Sequence, residues 1–110
     1  MPKKGVSEER PSKEVPKPGP DTVICGIIKH LGGDYVLVKC VDGMDRKARI
    51  PGKLRKRVWI REGDIVLVGP WAPNSDKGDI VYKYERDEVD KLIEGGYLTK
   101  EFVDALAEYI

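Results

Sequence analysis

Residues 46–61, RKARIPGKLRKRVWIR, decide how the chain is read. Successive side chains of a strand point to opposite sides, so Arg46, Ala48 and Ile50 share one face and Lys47 and Arg49 the other. Ala48 and Ile50 are expected in the core, with Arg46 on the core side at the strand's end, able to curl outward. Pro51 and Gly52 end the strand. Lys53 to Arg57 are good helix formers with no β-branched residue, which predicts a short helical turn with Leu54 and Val58, at i and i+4, facing inward. Val58, Trp59 and Ile60 then anchor the segment to a core, and alternation turns the Trp59 ring away from its two neighbours, outward. The sixteen residues carry eight cations and no acid. Charges of one sign at this density destabilise a fold unless they meet water or an anion. The polyanion that Lys/Arg runs with an embedded aromatic usually meet is nucleic acid. A solvated basic face is the plainer alternative. Strand-like sequence at both ends of the run favours a built surface.

Working outward, Thr22 to Leu31 (TVICGIIKHL) is apolar at both parities with Gly26 near its centre. Such a strand bends at the glycine and serves two sheets, as the first strand of a small closed barrel does. Leu31-Gly32-Gly33-Asp34 is a turn, Tyr35 to Val41 a second strand, and Asp42-Gly43 a tight-hairpin signal before the third. Beyond the basic segment, Arg61 to Asp64 turn the chain into a buried strand, Ile65 to Val68. Trp71 to Gly78 is a loop and Asp79 to Tyr84 a fifth strand. Five short strands with a helical piece between the third and fourth describe an oligonucleotide-binding (OB) barrel. After Tyr84 the period lengthens to that of a helix. Val89, Leu92 and Ile93 share a face from Arg86 to Glu94, closed by Gly95-Gly96, and Thr99 caps a second helix striped by Phe102, Ala105, Leu106 and Tyr109. The expected architecture is an all-β core with C-terminal helices. A flexible basic arm covers 1–20, the OB-fold domain 21–84 and a helical extension 85–110.

The arm holds five prolines and few apolar residues, too little to offset the entropy of ordering. A chain of 110 residues supports one modest core. Its 35% charged content and mean hydropathy of -0.44 suit a cytoplasmic protein. No apolar run approaches the ~20 residues that span a bilayer, and no signal peptide is legible, so a membrane partner is not expected. Cys25 and Cys40 lie in apolar strands, where buried free thiols are the expectation in a reducing compartment. They form no Cys-x-x-Cys pair, and with a single histidine they make a poor metal site. Residues 1–20 carry five cations against three acids, residues 21–84 twelve against eight, and residues 85–110 three against eight. A basic middle and an acidic end suit two kinds of partner, or one end shielding the other.

Nothing in the sequence supports catalysis. His30 ends a strand beside two glycines with no nucleophile motif nearby. Gly52-Lys53 fails as a phosphate-binding loop, because Lys47 stands where a glycine is required and Leu54 replaces the magnesium-holding Ser/Thr. No catalytic residue, metal or cofactor is expected.

At DGMDRKARIPGKLRKRVWIREGDIVLVGPW (42–71), at DIVYKY (79–84) and at the following DEVDKL (87–92), the chain resembles translation initiation factor 1A in its archaeal form. The likeness covers about residues 20 to 95, and its GKLRKRVWI block is highly specific. It implies a non-enzymatic, monomeric OB-fold factor that binds small ribosomal subunit RNA at the decoding (A) site. There the factor assists initiator tRNA placement, start-site selection and subunit joining, together with initiation factor 1 and the GTPase initiation factor 5B. The family's RNA-facing motif falls on Lys53, Arg55, Lys56 and Arg57, with Lys47 and Arg49 on the adjacent strand and Trp59 and Arg61 beside them. The family's C-terminus engages initiation factor 5B, which implies a partner contact by Glu108, Tyr109 and Ile110. The eukaryotic factors end in a long acidic tail, whereas this sequence reads to Ala107-Glu108-Tyr109-Ile110 on a predicted helix, so the contact made by that tail is not expected to carry over. A general single-strand RNA chaperone of cold-shock type is the alternative on the same barrel, but it stacks bases on exposed aromatics. With 7% aromatic residues and one Phe, this chain is expected to lack that platform and to rely on cations for backbone and shape recognition.

Overall fold

Strand β1 (Val23–Gly32) is paired along both edges, which lets a five-stranded sheet close on itself. The computed structural model describes residues 15–55 and 59–109. Antiparallel partners flank β1: β2 (Tyr35–Cys40) on one side and β4 (Ile65–Pro70) on the other. β3 (Asp45–Arg49) follows β2, and β5 (Lys77–Lys83) pairs antiparallel with β4 and parallel with β3, closing the barrel in the order β1-β2-β3-β5-β4. The short helix α1 (Gly52–Arg55) sits between β3 and β4, where the OB reading requires it. The irregularities of β1 against β2 fall between Ile27 and Lys29 and between His30 and Gly32, and not at Gly26.

The barrel interior is filled by inward-facing residues including Ile27, Val36, Val38, Ala48, Ile50, Val66, Val68 and Ile80, with half-buried Leu54 and Ile60 packed on the same cluster. Ala48 and Ile50 thus face the core as the alternation predicts, and Leu54 faces inward. Val58 lies outside the described residues.

Cys25 and Cys40 depart from the expectation of free thiols, because the structure joins them in a disulfide. They are register partners on β1 and β2, with Cα atoms 3.9 Å apart. A spacing of fifteen residues across a hairpin conceals this pairing until the register is known. Under the loop-closure model, a cross-link of that span stabilises by about 3 kcal/mol.

A second core lies outside the barrel. Ile24, Ile65, Leu67 and Tyr84 form an apolar floor on which Leu92 of α2 (Arg86–Glu94), Leu98 and Leu106 of α3 (Lys100–Leu106) pack. α2 spans the predicted residues and α3 starts at its predicted cap, but α3 ends at Leu106, so Tyr109 leaves the expected stripe and is exposed. Thr99 Oγ1 accepts the Phe102 N–H at 3.0 Å. Glu88 accepts the Glu85 N–H at 2.8 Å through one carboxylate oxygen and the Tyr82 hydroxyl at 2.6 Å through the other. The chain is already held at Val15, which packs on this second core, and the Tyr84 hydroxyl donates to the Pro16 carbonyl. Burial pushes the Tyr84 phenol up to about 12, so it remains a donor at neutral pH.

Gly26 supplies the site for α3. A Cβ at this position would lie 2.2 Å from Leu106 Cδ1, so only a residue without a side chain lets the leucine reach the sheet. Seating Leu106 there, 2% exposed, contributes about 1.5–3 kcal/mol. Gly26→Val should expel Leu106 and lower stability by at least about 2 kcal/mol, with amide protection lost in α3 and kept in β1–β5. Hydrogen exchange resolved by segment checks this, and unchanged protection in α3 would contradict the docking described.

Candidate nucleic-acid interface

The cations of the basic segment separate once their partners are known. Arg46 is 3% exposed and does not curl outward as expected. Its Nη1 and Nη2 donate to Asp42 Oδ1 and Oδ2 at 3.1 and 2.9 Å, and its Nε donates to the Ser75 carbonyl at 2.8 Å. Burying a guanidinium is tolerable only with such bonds, and a planar fork facing a carboxylate provides them. Arg46 therefore ties the β2–β3 hairpin to the β4–β5 loop and is unavailable to a ligand.

Lys47 and Arg49 project from the outer face of β3, as alternation predicts. Arg49 Nε contacts Asp79 Oδ1 at 3.0 Å, an exposed pair worth little in stability. Lys47 lies across from Lys77 in the parallel β3–β5 register. Among the described residues neither lysine has an acid within ion-pair distance. Lys53 on α1 and Arg61 beyond Trp59 are exposed. Arg55 is placed by the backbone of α1 alone, and Lys56 and Arg57 lie outside the described residues. Trp59 is 76% exposed, outward as expected, although it belongs to no strand. Its carbonyl accepts Lys83 Nζ at 2.8 Å, which fixes the chain there while leaving the ring in water.

One expectation is overturned: aromatic surfaces do accompany these cations. Trp71 is 51% exposed and lines a cavity with Tyr35, Leu31, Gly32, Lys47 and Lys77. Trp71 closes the stretch 42–71 that carries the family likeness but has no binding role in it, Lys77 reads as a loop residue, and Tyr35 as an ordinary strand residue. The signal available was Trp71 itself, a large aromatic in a loop of Pro, Asn, Ser and Asp with no apolar periodicity to bury it.

At the far end of the chain, Glu108 and Tyr109 are exposed in a 3₁₀ turn (Ala107–Tyr109), with Lys39 Nζ 5.9 Å from the Tyr109 ring centroid. Ile110 lies outside the described residues. Among the described residues, no group of three His, Cys, Asp or Glu side chains is placed to hold a metal.

Residues 12–107 match the family model described as "Translation initiation factor 1A / IF-1". Translation initiation factor 1A of Desulfurococcus amylolyticus is 62% identical over 99 residues, covering 88% of this chain and 85% of its own. The Metallosphaera sedula factor of the same name is 48% identical over 106 residues, covering 96% and 98%. A solution structure of translation initiation factor IF-1 from the Wolbachia endosymbiont of Brugia malayi covers 66% of this chain and 85% of its own, at 25% identity and a TM-score of 0.47.

The Asp42–Arg46 pair makes a pH-dependent prediction. The hydrogen bonds from Arg46 outweigh burial and hold the Asp42 carboxyl below its usual value. A carboxyl depressed in the folded state stabilises it above the unfolded value of about 3.9, and that contribution is lost as pH falls through the folded value. Asp42→Asn should cost about 1.5–3 kcal/mol at pH 7, since charge-assisted bonds to a buried cation are removed. Denaturant titrations from pH 7 down to 2 should show the difference shrinking below about pH 4. A constant difference across that range would mean that the pair is not the cause.

Proposed function

The chain belongs to the translation initiation factor 1A / IF-1 family, and from this premise we propose that it binds small-subunit ribosomal RNA at the decoding (A) site. In that position it assists initiator tRNA placement, start-site selection and subunit joining. The observation that carries the proposal is the exposure of Lys47 and Lys53 with no acid within ion-pair distance among the described residues. They stand out from β3 and α1 and the Trp59 ring lies in solvent, while exposed Arg61 lines a groove with Glu85, Asp90, Glu94 and Asp104. Lys56, Arg57 and the Arg55 side chain complete the set from the sequence. Long flexible cations of this kind neutralise phosphate, while an exposed aromatic adds a stacking face.

The family is not known for catalysis, and the proposed action is binding without turnover by a monomer. No helix among the described residues is long and apolar enough to cross a membrane. The cold-shock type of single-strand RNA chaperone is favoured by one observation, the half-exposed Trp71 beside Tyr35. Family membership weighs against it as the whole function. Initiation factor 1 is a proposed neighbour on the subunit. The GTPase initiation factor 5B is proposed to take residues 107–110, with Ile110 as apolar anchor, Glu108 as steering charge and exposed Tyr109 beside them. Leu106, which seals α3 onto the barrel, lies just before this segment, so the docking end projects from a fixed base.

Two measurements test these assignments. Reversing Arg55 and Lys56 to Glu should weaken small-subunit binding and flatten its log-log salt dependence by about one unit per lost phosphate contact, with the fold intact. Equal binding by the double variant across salt would reduce the segment to a solvated face. Deleting residues 107–110 should leave subunit affinity unchanged and lower affinity for the purified GTPase in calorimetry. Unchanged GTPase affinity would leave these residues a purely structural end.

A further inference from the structure

We propose that the barrel carries a subsite for one unpaired nucleotide, its base on Trp71 and Tyr35 and its phosphate at the Lys47–Lys77 pair; this rests on the reading that the barrel face binds RNA. The cavity that Trp71 and Tyr35 share with these lysines has a volume of about 380 Å³, at the small end of ligand sites. Such a volume is of the size of a single nucleotide.

The electrostatics of the site ask for an anion. Lys47 and Lys77 sit on neighbouring strands about 4.8 Å apart and directly in register. Like charges opposed across a sheet are destabilising, and among the described residues no acid lies within ion-pair distance of either lysine. Arg49 and Asp79, two residues further along the same strands, do form a pair. The register therefore alternates between a satisfied ion pair and an unsatisfied pair of cations, and a phosphate beside the latter relieves the repulsion.

The walls of the site are preorganised. The Trp71 N–H donates to the Lys77 carbonyl at 3.0 Å, and the Lys77 N–H donates to Ser75 Oγ at 3.1 Å. The Lys47 N–H donates to the Asp76 carbonyl at 2.8 Å, and buried Arg46 holds the Ser75 carbonyl. The loop that presents Trp71 is thus fixed to β3 and β5 at both ends before any ligand arrives, which lowers the ordering cost of binding. A base in duplex has its faces covered by its neighbours, so only an unstacked one can lie against Trp71.

The chain has two tryptophans, so in a Trp59→Phe background Trp71 reports alone. Its emission should be quenched by a single-stranded RNA hexamer and left unchanged by the same hexamer in duplex, and Lys77→Glu should abolish the quenching. Adenosine monophosphate forms a second arm. Quenching at hexamer-like concentrations identifies a free nucleotide as the source of the ligand, whereas quenching by the hexamer alone identifies an RNA strand. Trp71→Ala should weaken hexamer binding about 5- to 150-fold, the loss of one stacked base. Equal quenching by duplex and single strand, or none by either RNA or the mononucleotide, would overturn the subsite. Small-subunit binding measured in parallel separates the two readings. Subunit and hexamer affinities unaltered by Trp71→Ala overturn the subsite alone, whereas absence of subunit binding by the wild-type chain overturns the broader function.

Discussion

β5 pairs with β4 along one edge and closes the barrel against β3 along the other, and its approach to β4 depends on the missing side chain of Gly78. A Cβ there would lie 2.7 Å from the Gly69 carbonyl oxygen and 2.9 Å from Val68 Cγ1, inside the wall of the neighbouring strand. With Gly78 beside Ala48, closure sets the register that places Lys47 next to Lys77 and Arg49 next to Asp79. The arrangement of charge on the outer face is thus a consequence of how the sheet meets itself. Buried Arg46 secures the same junction from within, bonding to Asp42 at one hairpin and to the Ser75 carbonyl in the loop before β5.

Topology also decides which cations the acidic extension meets. The acid-rich residues after Tyr84 form helices whose apolar residues, Leu92 and Leu106, settle on Ile24, Ile65 and Leu67 of β1 and β4. Gly26 admits Leu106 closely enough to make that seat firm. The extension also reaches Tyr82 near the end of β5, whose hydroxyl donates to Glu88, whereas Lys47, Arg49 and Lys77 stand exposed on β3 and at the start of β5. Lys47 and Lys77 have no acid of the extension within ion-pair distance among the described residues, whereas Arg61 lines a groove with Glu85, Asp90, Glu94 and Asp104.

Local patterns were legible in the sequence and long-range registers were not. Alternation in 46–50 placed Ala48 and Ile50 inward and Lys47 and Arg49 outward. The change of period after Tyr84 set α2 at Arg86–Glu94, and Thr99 was readable as a cap. Each depends on neighbours within a few residues. Arg46 was harder, because its partners lie four residues upstream in a hairpin and twenty-nine downstream in a loop. The Cys25–Cys40 link and the shared site of Tyr35, Trp71 and Lys77 likewise exist only once strands far apart in sequence are in register. Glycine raised a further ambiguity: Gly26 read as a bend in a strand, while its physical role is to admit a leucine from α3.

The claim that joins fold, charge and family is that the face around β3 and α1 meets the RNA of the decoding site. Chemical footprinting of small ribosomal subunits, with and without the protein, addresses it most directly. The account predicts protection confined to the decoding centre, weakened in proportion when the cations of the basic segment are reversed. Protection scattered over unrelated single-stranded regions, or none at saturating protein, would contradict it.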